Sequence, residues 1–376
     1  MKITIHFMLM TIKMMIRYIK IIGLVALLGW QNTALAADDA VMVEAFYIGE
    51  VVKNLGGGDK KASQTLGTAD LSITVDTEGL GLWQGGTWFA EVIYNHGDDP
   101  SNFIGDVQTA SNIADGKRKR LQQFWYDHAL NDNVSLLLGL HDLNSEFYAS
   151  EYAALFLNSS LGIGPEVSGN VGTSLWPEAG LAARLSLHNV QSYVNVVIYD
   201  GDPATRKVDK ATEGLMMIIE AGWLNGEAAY KFGLWQHSAE KAGPDNIASP
   251  SVAGFYAVVD QPLSENTGVF MQLGLTQANR NEIANYFGAG LVMQEPISGR
   301  SDDTLGLAVA RAGFSNTHQQ ANGVLAAETA IEITYDMAIT DWLTVHPAYQ
   351  WIHHPSGNPA LKNANVAMLR VDIHLP

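Results

Sequence analysis

Cysteine is absent from the 376 residues of this chain, which excludes a disulfide framework and any metal site built on thiolates. Basic residues are scarce, because 22 Lys and Arg stand against 39 Asp and Glu, and the formal net charge is −17 at pH 7. Such acidity argues against nucleic acid as a partner, since the phosphates would be repelled. No segment after residue 36 holds about twenty consecutive apolar residues, so no transmembrane helix is predicted there.

The beginning of the chain has the pattern of a cleavable secretory signal peptide. Four basic and no acidic residues flank the start of an apolar stretch at 21–30, and Ala34-Leu35-Ala36 follows it. The apolar stretch is too short to cross a bilayer as a helix, and the small residues suit a cleavage site. We therefore expect a signal peptide over 1–36 and a single mature domain over 37–376, which no linker divides.

Many segments of the mature part alternate apolar and polar residues, a period typical of β-strands. In residues 328–337, Glu328 and Glu332 share one face, and Ile331 and Ile333 share the other. About sixteen strand-length segments follow one another, most about ten residues long, as a tilted strand needs to cross a bilayer. The pattern predicts an all-β fold, a transmembrane antiparallel β-barrel that is apolar outside and wet inside.

The connections between these segments are alternately short and long. Residues 131–133 and 338–341 are short connections, whereas 54–65, 97–119 and 142–177 are long ones. In bacterial outer-membrane barrels the short turns face the periplasm and the long loops face outside. We therefore expect a protein of the bacterial outer membrane with both termini on the periplasmic side.

The longest connection, 142–177, is predicted to fold into the lumen and constrict it. Tyr148, Tyr152 and Phe156 would be poorly placed in external water, and loops of this length in compact proteins are usually functional. Aromatic rings next to carboxylates and amides suit the C–H faces and the hydroxyl groups of sugars. We expect loop and wall residues together to line a solute path.

The predicted path residues share an inward strand position or a place in this loop. They are Trp125, Asp127, Asp142, Asn144, Glu146, Phe147, Asn158, Trp176, Arg184, Lys231, Glu328, Glu332 and Arg370. Further positions assigned to the lumen by periodicity are Glu44, Asp70, Asp76, Glu91, Asn95, Glu220, Glu227, Asp336, His346 and Gln350. The histidines form no HExxH pattern, so no metal, cofactor or catalytic residue is predicted.

Four runs of sequence carry a resemblance to a known family. They are GDVQTASN at 105–112, LQQFWYD at 121–127, LGLHDLN at 138–144, and the segment 332–355 with its Pro347-Ala348-Tyr349-Gln350-Trp351. Together they resemble the carbohydrate-selective porins of the OprB family. The resemblance implies a sixteen-stranded outer-membrane barrel whose inward-folded loops form an eyelet, and passive, selective diffusion of small sugars through a water-filled lumen.

Two alternatives remain open. A general or cation-preferring porin has the same fold, and the acidic lumen favours it. A secreted β-rich glycoside hydrolase would need paired carboxylates, but Glu328 and Glu332 would lie about 13 Å apart on a strand, too far for either standard geometry.

The expected partners are small carbohydrates, ions and the lipid of the outer membrane. The basic run 117–120 is expected at the outer end of the fourth strand, where it either pairs with lipopolysaccharide or forms a solvated loop stem. Both a monomer and a trimer are compatible with the sequence.

Overall fold

The computed structural model describes residues 40–249 and 251–375, so the predicted signal peptide lies outside the described residues. The strands are β1 (Val41–Gly58), β2 (Ser63–Asp76), β3 (Gly86–His96), β4 (Arg118–Asn131), β5 (Val134–His141), β6 (Gly180–His188), β7 (Ser192–Asp200), β8 (Leu215–Asn225), β9 (Ala228–His237), β10 (Lys241–Ala242), β11 (Ala248–Ser249), β12 (Val252–Ser264), β13 (Thr267–Thr276), β14 (Ile283–Gln294), β15 (Thr304–Phe314), β16 (Ala327–Thr340), β17 (Leu343–His353) and β18 (Lys362–Leu375).

All of these strands except β10 and β11 form one closed antiparallel barrel of sixteen strands. Each barrel strand pairs with its neighbour along the chain, and β18 pairs with β1 to complete the circle. The two short strands pair only with each other, in the connection after β9. Closure leaves no unpaired barrel edge, which satisfies the backbone hydrogen bonds that a bilayer would otherwise leave unmet. The predicted fold class is confirmed.

Every predicted strand segment corresponds to a barrel strand, and β3 and β15 have the predicted bounds. The long connection expected over 54–65 is wrong. β1 continues to Gly58 and β2 begins at Ser63, because two register shifts let the last residues of β1 keep pairing with β18. Gly57 and Gly58 have φ of 73° and 59°, a conformation in which glycine allows the chain to turn at once.

Side chains along each barrel strand alternate between the lumen and the outer surface. On β16, Glu328 and Glu332 are buried inside, whereas Ile331 and Ile333 are 39% and 49% exposed on the outside. The same alternation in the other strands produces an outward apolar band, the surface that a bilayer covers. Trp223, near the short-turn end of β8, is also exposed, as in the aromatic girdles at headgroup level.

Two long connections fold into the barrel, which we name the first inward loop (residues 97–117) and the second inward loop (residues 142–179). In the second loop, Phe147 is fully buried in an apolar cluster that includes the wall residue Phe270. In the first loop, Ile104 packs in a cluster with β1 and β18. Burying one such side chain stabilises the packing by roughly 1.5–3 kcal/mol.

Helices are short and lie in the connections. They are Ser101–Ile104, Leu143–Ser145, Ala153–Leu155, Ser159–Gly162, Pro165–Ser168, Asn316–Asn322 and Pro355–Gly357. Over residues 40–249 and 251–375, none of the helices has the length and apolar content to cross a membrane.

Candidate functional site: a passage between the inward loops and the wall

The carboxylate of Glu328 on β16 holds the first inward loop. It accepts hydrogen bonds from the backbone N–H groups of Val107 at 2.9 Å, Gln108 at 3.0 Å and Ser356 at 2.6 Å. The side-chain amide of Gln108 donates to the same carboxylate at 3.2 Å. A buried carboxylate that receives several N–H groups satisfies both itself and its donors. Glu328 therefore attaches two connections to the barrel wall, the first inward loop and the connection between β17 and β18.

Glu332, four residues further along the same face, does the same for the second inward loop. Its two oxygens accept the backbone N–H groups of Leu157 at 2.8 Å and Asn158 at 3.0 Å. Gln350 on β17 donates to Glu332 at 3.0 Å and accepts from the Asn158 amide at 3.3 Å. The strand period of two puts both glutamates inside, one below the other, and each meets a different loop.

Two more wall carboxylates bind the second loop nearer its start. Asp260 on β12 accepts the backbone N–H of Glu151 at 3.0 Å and the hydroxyl of Ser150. Glu220 on β8 accepts the backbone N–H of Tyr148 at 2.9 Å. The loop is therefore held against one side of the barrel by charge-assisted hydrogen bonds, and the opposite side stays open.

A cavity of about 610 Å³ occupies the open side, between the inward loops and the wall of β18, β1, β2 and β3. We name it the passage; its volume lies within the range of small-molecule sites. Its polar lining includes Asp70, Glu91, Asp142, Gln108, Asn112, Asn144 and Arg370. Phe46 and Trp176 are its aromatic lining residues.

Arg370 on β18 is the basic residue that lines the passage in the described part of the chain. Its guanidinium donates to the buried carboxylate of Glu50 at 2.7 Å and to the side-chain oxygen of Asn112 at 2.6 Å. The first contact neutralises the charge of Arg370, and the second ties the first inward loop to the wall.

Three carboxyl groups face the passage, those of Asp70, Glu91 and Asp142, and none has a basic partner within salt-bridge distance among the described residues. Glu91 accepts a hydrogen bond from the Gln123 amide at 2.7 Å. Asp142 accepts the backbone N–H of Asn144 at 2.8 Å. Burial raises the pKa of Asp142 to about 6, although the Asn144 hydrogen bond opposes the shift. No basic residue in the described part of the chain therefore balances these groups, but Asp70 also hydrogen-bonds to Glu91, and a hydrogen bond between two carboxyl groups needs a proton on one of them.

A second inward cluster lies on β4 and β6, centred on Arg184. Its guanidinium contacts Asp127 at 3.0 Å and Glu146 of the second loop at 3.2 Å. Burial raises the pKa of Glu146, but the hydrogen bond to His141 and the charges of His141 and Arg184 outweigh it and leave that pKa below its ordinary value. Trp125, also inward, stacks on the ring of a β3 residue with centroids 5.0 Å apart. This cluster therefore places one guanidinium between two carboxylates, with His141 beside Glu146.

The structure distributes the predicted path residues over three environments. The residues that line the passage are Asp142, Asn144, Trp176 and Arg370. The residues in or beside the Arg184 cluster are Trp125, Asp127, Glu146 and Arg184. The residues that hold the loops are Asn158, Glu328, Glu332 and Lys231, whose ammonium donates to the carbonyl of Ala149 at 2.8 Å. Phe147 lies in the apolar cluster beneath the loop. Contact of these residues with a solute stays a prediction.

Sequence reasoning missed the contribution of the first inward loop and of β1. Gln108 and Asn112 reach the passage because the first loop also folds inward, and Glu50 shares the inward parity of Glu44. Because side chains alternate along β1, the inward position assigned to Glu44 could have identified Glu50 as an inward residue too. The run 105–112, which carries part of the family resemblance, was the feature of the sequence that could have indicated a functional role for the first inward loop.

Comparisons with known proteins agree with this architecture. The family model described as "Carbohydrate-selective porin, OprB family" matches residues 60–375. Porin B of Pseudomonas aeruginosa is 25% identical over 394 aligned residues, which cover 86% of this chain and 85% of Porin B.

Two solved structures share the fold. The high-pH structure of Pseudomonas putida OprB superposes with a TM-score of 0.81 at 20% identity, covering 90% of this chain and 95% of that one. The outer-membrane channel DcaP of Acinetobacter baumannii has a TM-score of 0.59 at 10% identity, with coverages of 89% and 97%. With the family model matching most of its length, the chain belongs to the OprB family of carbohydrate-selective porins, channels of the outer membrane rather than enzymes.

Proposed function

We propose that small sugars cross the outer membrane through the passage by diffusion, and that its lining residues select them. The observation that carries this proposal is the composition of the lining, where the aromatic side chains of Phe46 and Trp176 lie among amides and carboxylates. Aromatic faces suit the C–H faces of a pyranose, and amides and carboxylates replace the water that its hydroxyl groups lose. Binding at each position stays weak, because tight binding would stop the flux.

The inward loops support selectivity by fixing the width of the passage. Each loop is attached to the wall through buried carboxylates that accept backbone N–H groups, as at Glu328 and Glu332. Groups held in this way keep their positions while a solute passes, and a rigid lining discriminates better than a mobile one.

Charge is the second element of the proposal. Asp70, Glu91 and Asp142 have no basic partner among the described residues, although Asp70 and Glu91 hydrogen-bond to each other, whereas the lining arginine of this part of the chain is paired with Glu50. Neutral sugars and cations are therefore favoured over anions of the same size, such as uronates or sugar phosphates. A cation-preferring general porin remains the second candidate function, and this charge distribution is the observation in its favour.

We further propose that the long connections face the cell exterior and both termini face the periplasm. The connections at one end of the barrel include both inward loops, whereas those at the other end include two-residue turns such as 132–133 and 226–227. Short turns on the periplasmic side are the rule for bacterial barrels.

Trp176→Ala is the variant that tests the sugar path. The protein is reconstituted in planar bilayers, and the block of ion current by neutral mono- and disaccharides is titrated. We expect the half-blocking concentration to rise about tenfold, since stacking of one ring contributes on the order of 1 kcal/mol or more. Trp83→Ala, which removes the same side chain from a connection at the other end of the barrel, is the matched control.

Two results would contradict the proposal. One is an ion current that no neutral sugar blocks in the unaltered protein, and this result would favour the cation-preferring porin. The other is an equal block in the Trp176 and Trp83 variants, which would place the sugar path elsewhere in the lumen.

A further inference from the structure

A hollow of about 500 Å³ indents the outer face of the barrel, on the opposite side of the wall from the passage. We name it the β2–β4 hollow. The strand registers place Leu71, Val92 and a β4 leucine in one row across the three strands. The next row towards the loops is Ala69, Tyr94 and Lys119. Ala69 has the smallest side chain of these six, which leaves room beside the Tyr94 ring.

The floor of the hollow is apolar and open to its surroundings. Leu71, Val92 and Leu121 are each between 40% and 45% exposed. This row therefore belongs to the outward band that the bilayer covers, and it offers a site where a hydrocarbon chain can lie along the wall.

The rim of the hollow is basic. The ammonium of Lys119 lies 5.5 Å from the centroid of the Tyr94 ring, and no carboxylate among the described residues pairs with it. Arg206, from the connection between β7 and β8, reaches over and donates to the carbonyl of Leu121 at 2.7 Å. One guanidinium N–H is used in this contact, out of the five that a guanidinium carries, and the carboxylates of Glu178 and Asp200 lie close enough to act on its charge.

The side chains of the two arginines in the basic run 117–120 point away from this face. Arg118 pairs with Asp115 at 2.9 Å and with Glu178 at 3.4 Å, and Arg120 also pairs with Glu178. Their charges are therefore compensated within the protein. Only part of the run is a loop stem, and Lys119 is the member that faces outward beside the apolar row.

We propose that the β2–β4 hollow binds lipopolysaccharide, with a lipid A phosphate between Lys119 and Arg206 and an acyl chain along Leu71, Val92 and Leu121. Cations at the rim and an apolar floor within one hollow match a ligand that has an anionic head next to a hydrocarbon chain. The inference rests on the proposed orientation, because this end of the barrel must face the outer leaflet.

The charge of the whole chain makes this rim unusual. A protein with a net charge of −17 repels an anionic lipid on average, so attraction needs a local concentration of cations. Two cations near one phosphate supply that concentration, because each basic residue near an anionic surface adds to the attraction.

The test is direct binding of rough-type lipopolysaccharide to the full-length protein in detergent, measured by native mass spectrometry. We expect Lys119→Gln combined with Arg206→Gln to weaken binding by about tenfold or more. Lys60→Gln, at an exposed position on another connection at the same end, is the matched control and keeps the affinity of the unaltered protein. Ala69→Phe, which fills the hollow and keeps both cations, is expected to weaken binding as well. The shift between unheated and heated protein on a gel checks that every variant has folded.

Equal affinities in the double variant and in Lys60→Gln would overturn the proposal. So would equal binding of dephosphorylated lipopolysaccharide, because the phosphate would then be irrelevant. Binding of phosphatidylglycerol that depends on Lys119, without binding of lipopolysaccharide, would overturn it and would place this end at the inner leaflet. Sugar block of the current is recorded on the same preparations, so failure of the lipid site is distinguishable from failure of the sugar path.

Discussion

At the scale of residues, the charge of the passage depends on which side chains have partners. Arg370 is compensated by Glu50 at 2.7 Å, so it adds little positive potential. Asp142 accepts only backbone N–H groups, those of Asn144 and Trp176, and its pKa is raised to about 6 because it is buried. Identical formal charges in a sequence therefore have different effects once their neighbours are known.

Asp142 predicts a pH-dependent selectivity. A carboxyl group with a pKa of about 6 is largely charged above neutral pH and loses its charge as the pH falls through 6. We expect the preference for cations to fall over this interval, and Asp142→Asn to remove that part of the pH dependence. Reversal potentials in a salt gradient, recorded from pH about 8 to about 5, measure the effect.

Asp132→Asn is the control for this experiment, because Asp132 is exposed in a two-residue turn far from the passage. It is expected to follow the unaltered protein at every pH. A curve for Asp142→Asn that coincides with that of Asp132→Asn would show that Asp142 does not set the charge of the passage.

At the scale of elements, the inward loops owe their positions to carboxylates on the barrel wall. Glu332 accepts two backbone N–H groups of the second loop, from Leu157 and Asn158. These bonds join residues 175 and 174 positions apart in the chain, so they exist only after the barrel has formed. The strands thus support the loops, and the loops in turn shape the passage.

Glu332→Ala is predicted to loosen the second inward loop. Two buried N–H groups lose their acceptor, at a cost of about 1–3 kcal/mol each. We expect a larger and noisier single-channel current, and the loop should become more sensitive to protease added on the loop side. Glu332→Gln keeps one acceptor oxygen, so we expect its current size, current noise and protease sensitivity to lie between those of the unaltered protein and those of Glu332→Ala. A current for Glu332→Ala that matches the unaltered protein in size and noise would mean that the remaining anchors suffice.

At the scale of the whole molecule, stability depends on a closed sheet whose outer face is apolar and whose lumen face is polar. Ile73 on β2 points outward and is 39% exposed, whereas Thr74 points into the lumen. A shift of one residue in register would exchange these environments along the whole strand. The bilayer outside and the water inside therefore fix the register together.

A matched pair of substitutions tests this polarity. Ile73→Arg puts a charge on the lipid face and is predicted to destabilise the protein by about 2–4 kcal/mol if the position lies at the bilayer midplane. Thr74→Arg puts the same side chain into the wet lumen and is predicted to cost much less. Urea unfolding in lipid vesicles measures both; equal losses in stability would contradict the assigned faces.

The period of two and the alternation of short and long connections were enough to predict the barrel, its strand number and the inward face of β16. Those features depend on local chemistry, because each strand position meets either lipid or water. The predicted bounds of the connection between β1 and β2 were wrong. Glycines at positive φ and a shifted pairing at the end of β1 make this connection shorter than predicted. Such a feature depends on the partner strand, β18, which is about three hundred residues away in sequence.

The roles of the inward residues were decided only by the tertiary structure. Glu332 and Asp70 both have a polar inward position, yet Glu332 is saturated by loop N–H groups and Asp70 faces the passage. Alternation specifies which face of the wall a side chain occupies, because that choice is local. Whether a loop, another wall residue or a solute meets it depends on how the inward loops pack across the barrel, which is a matter of long-range contact.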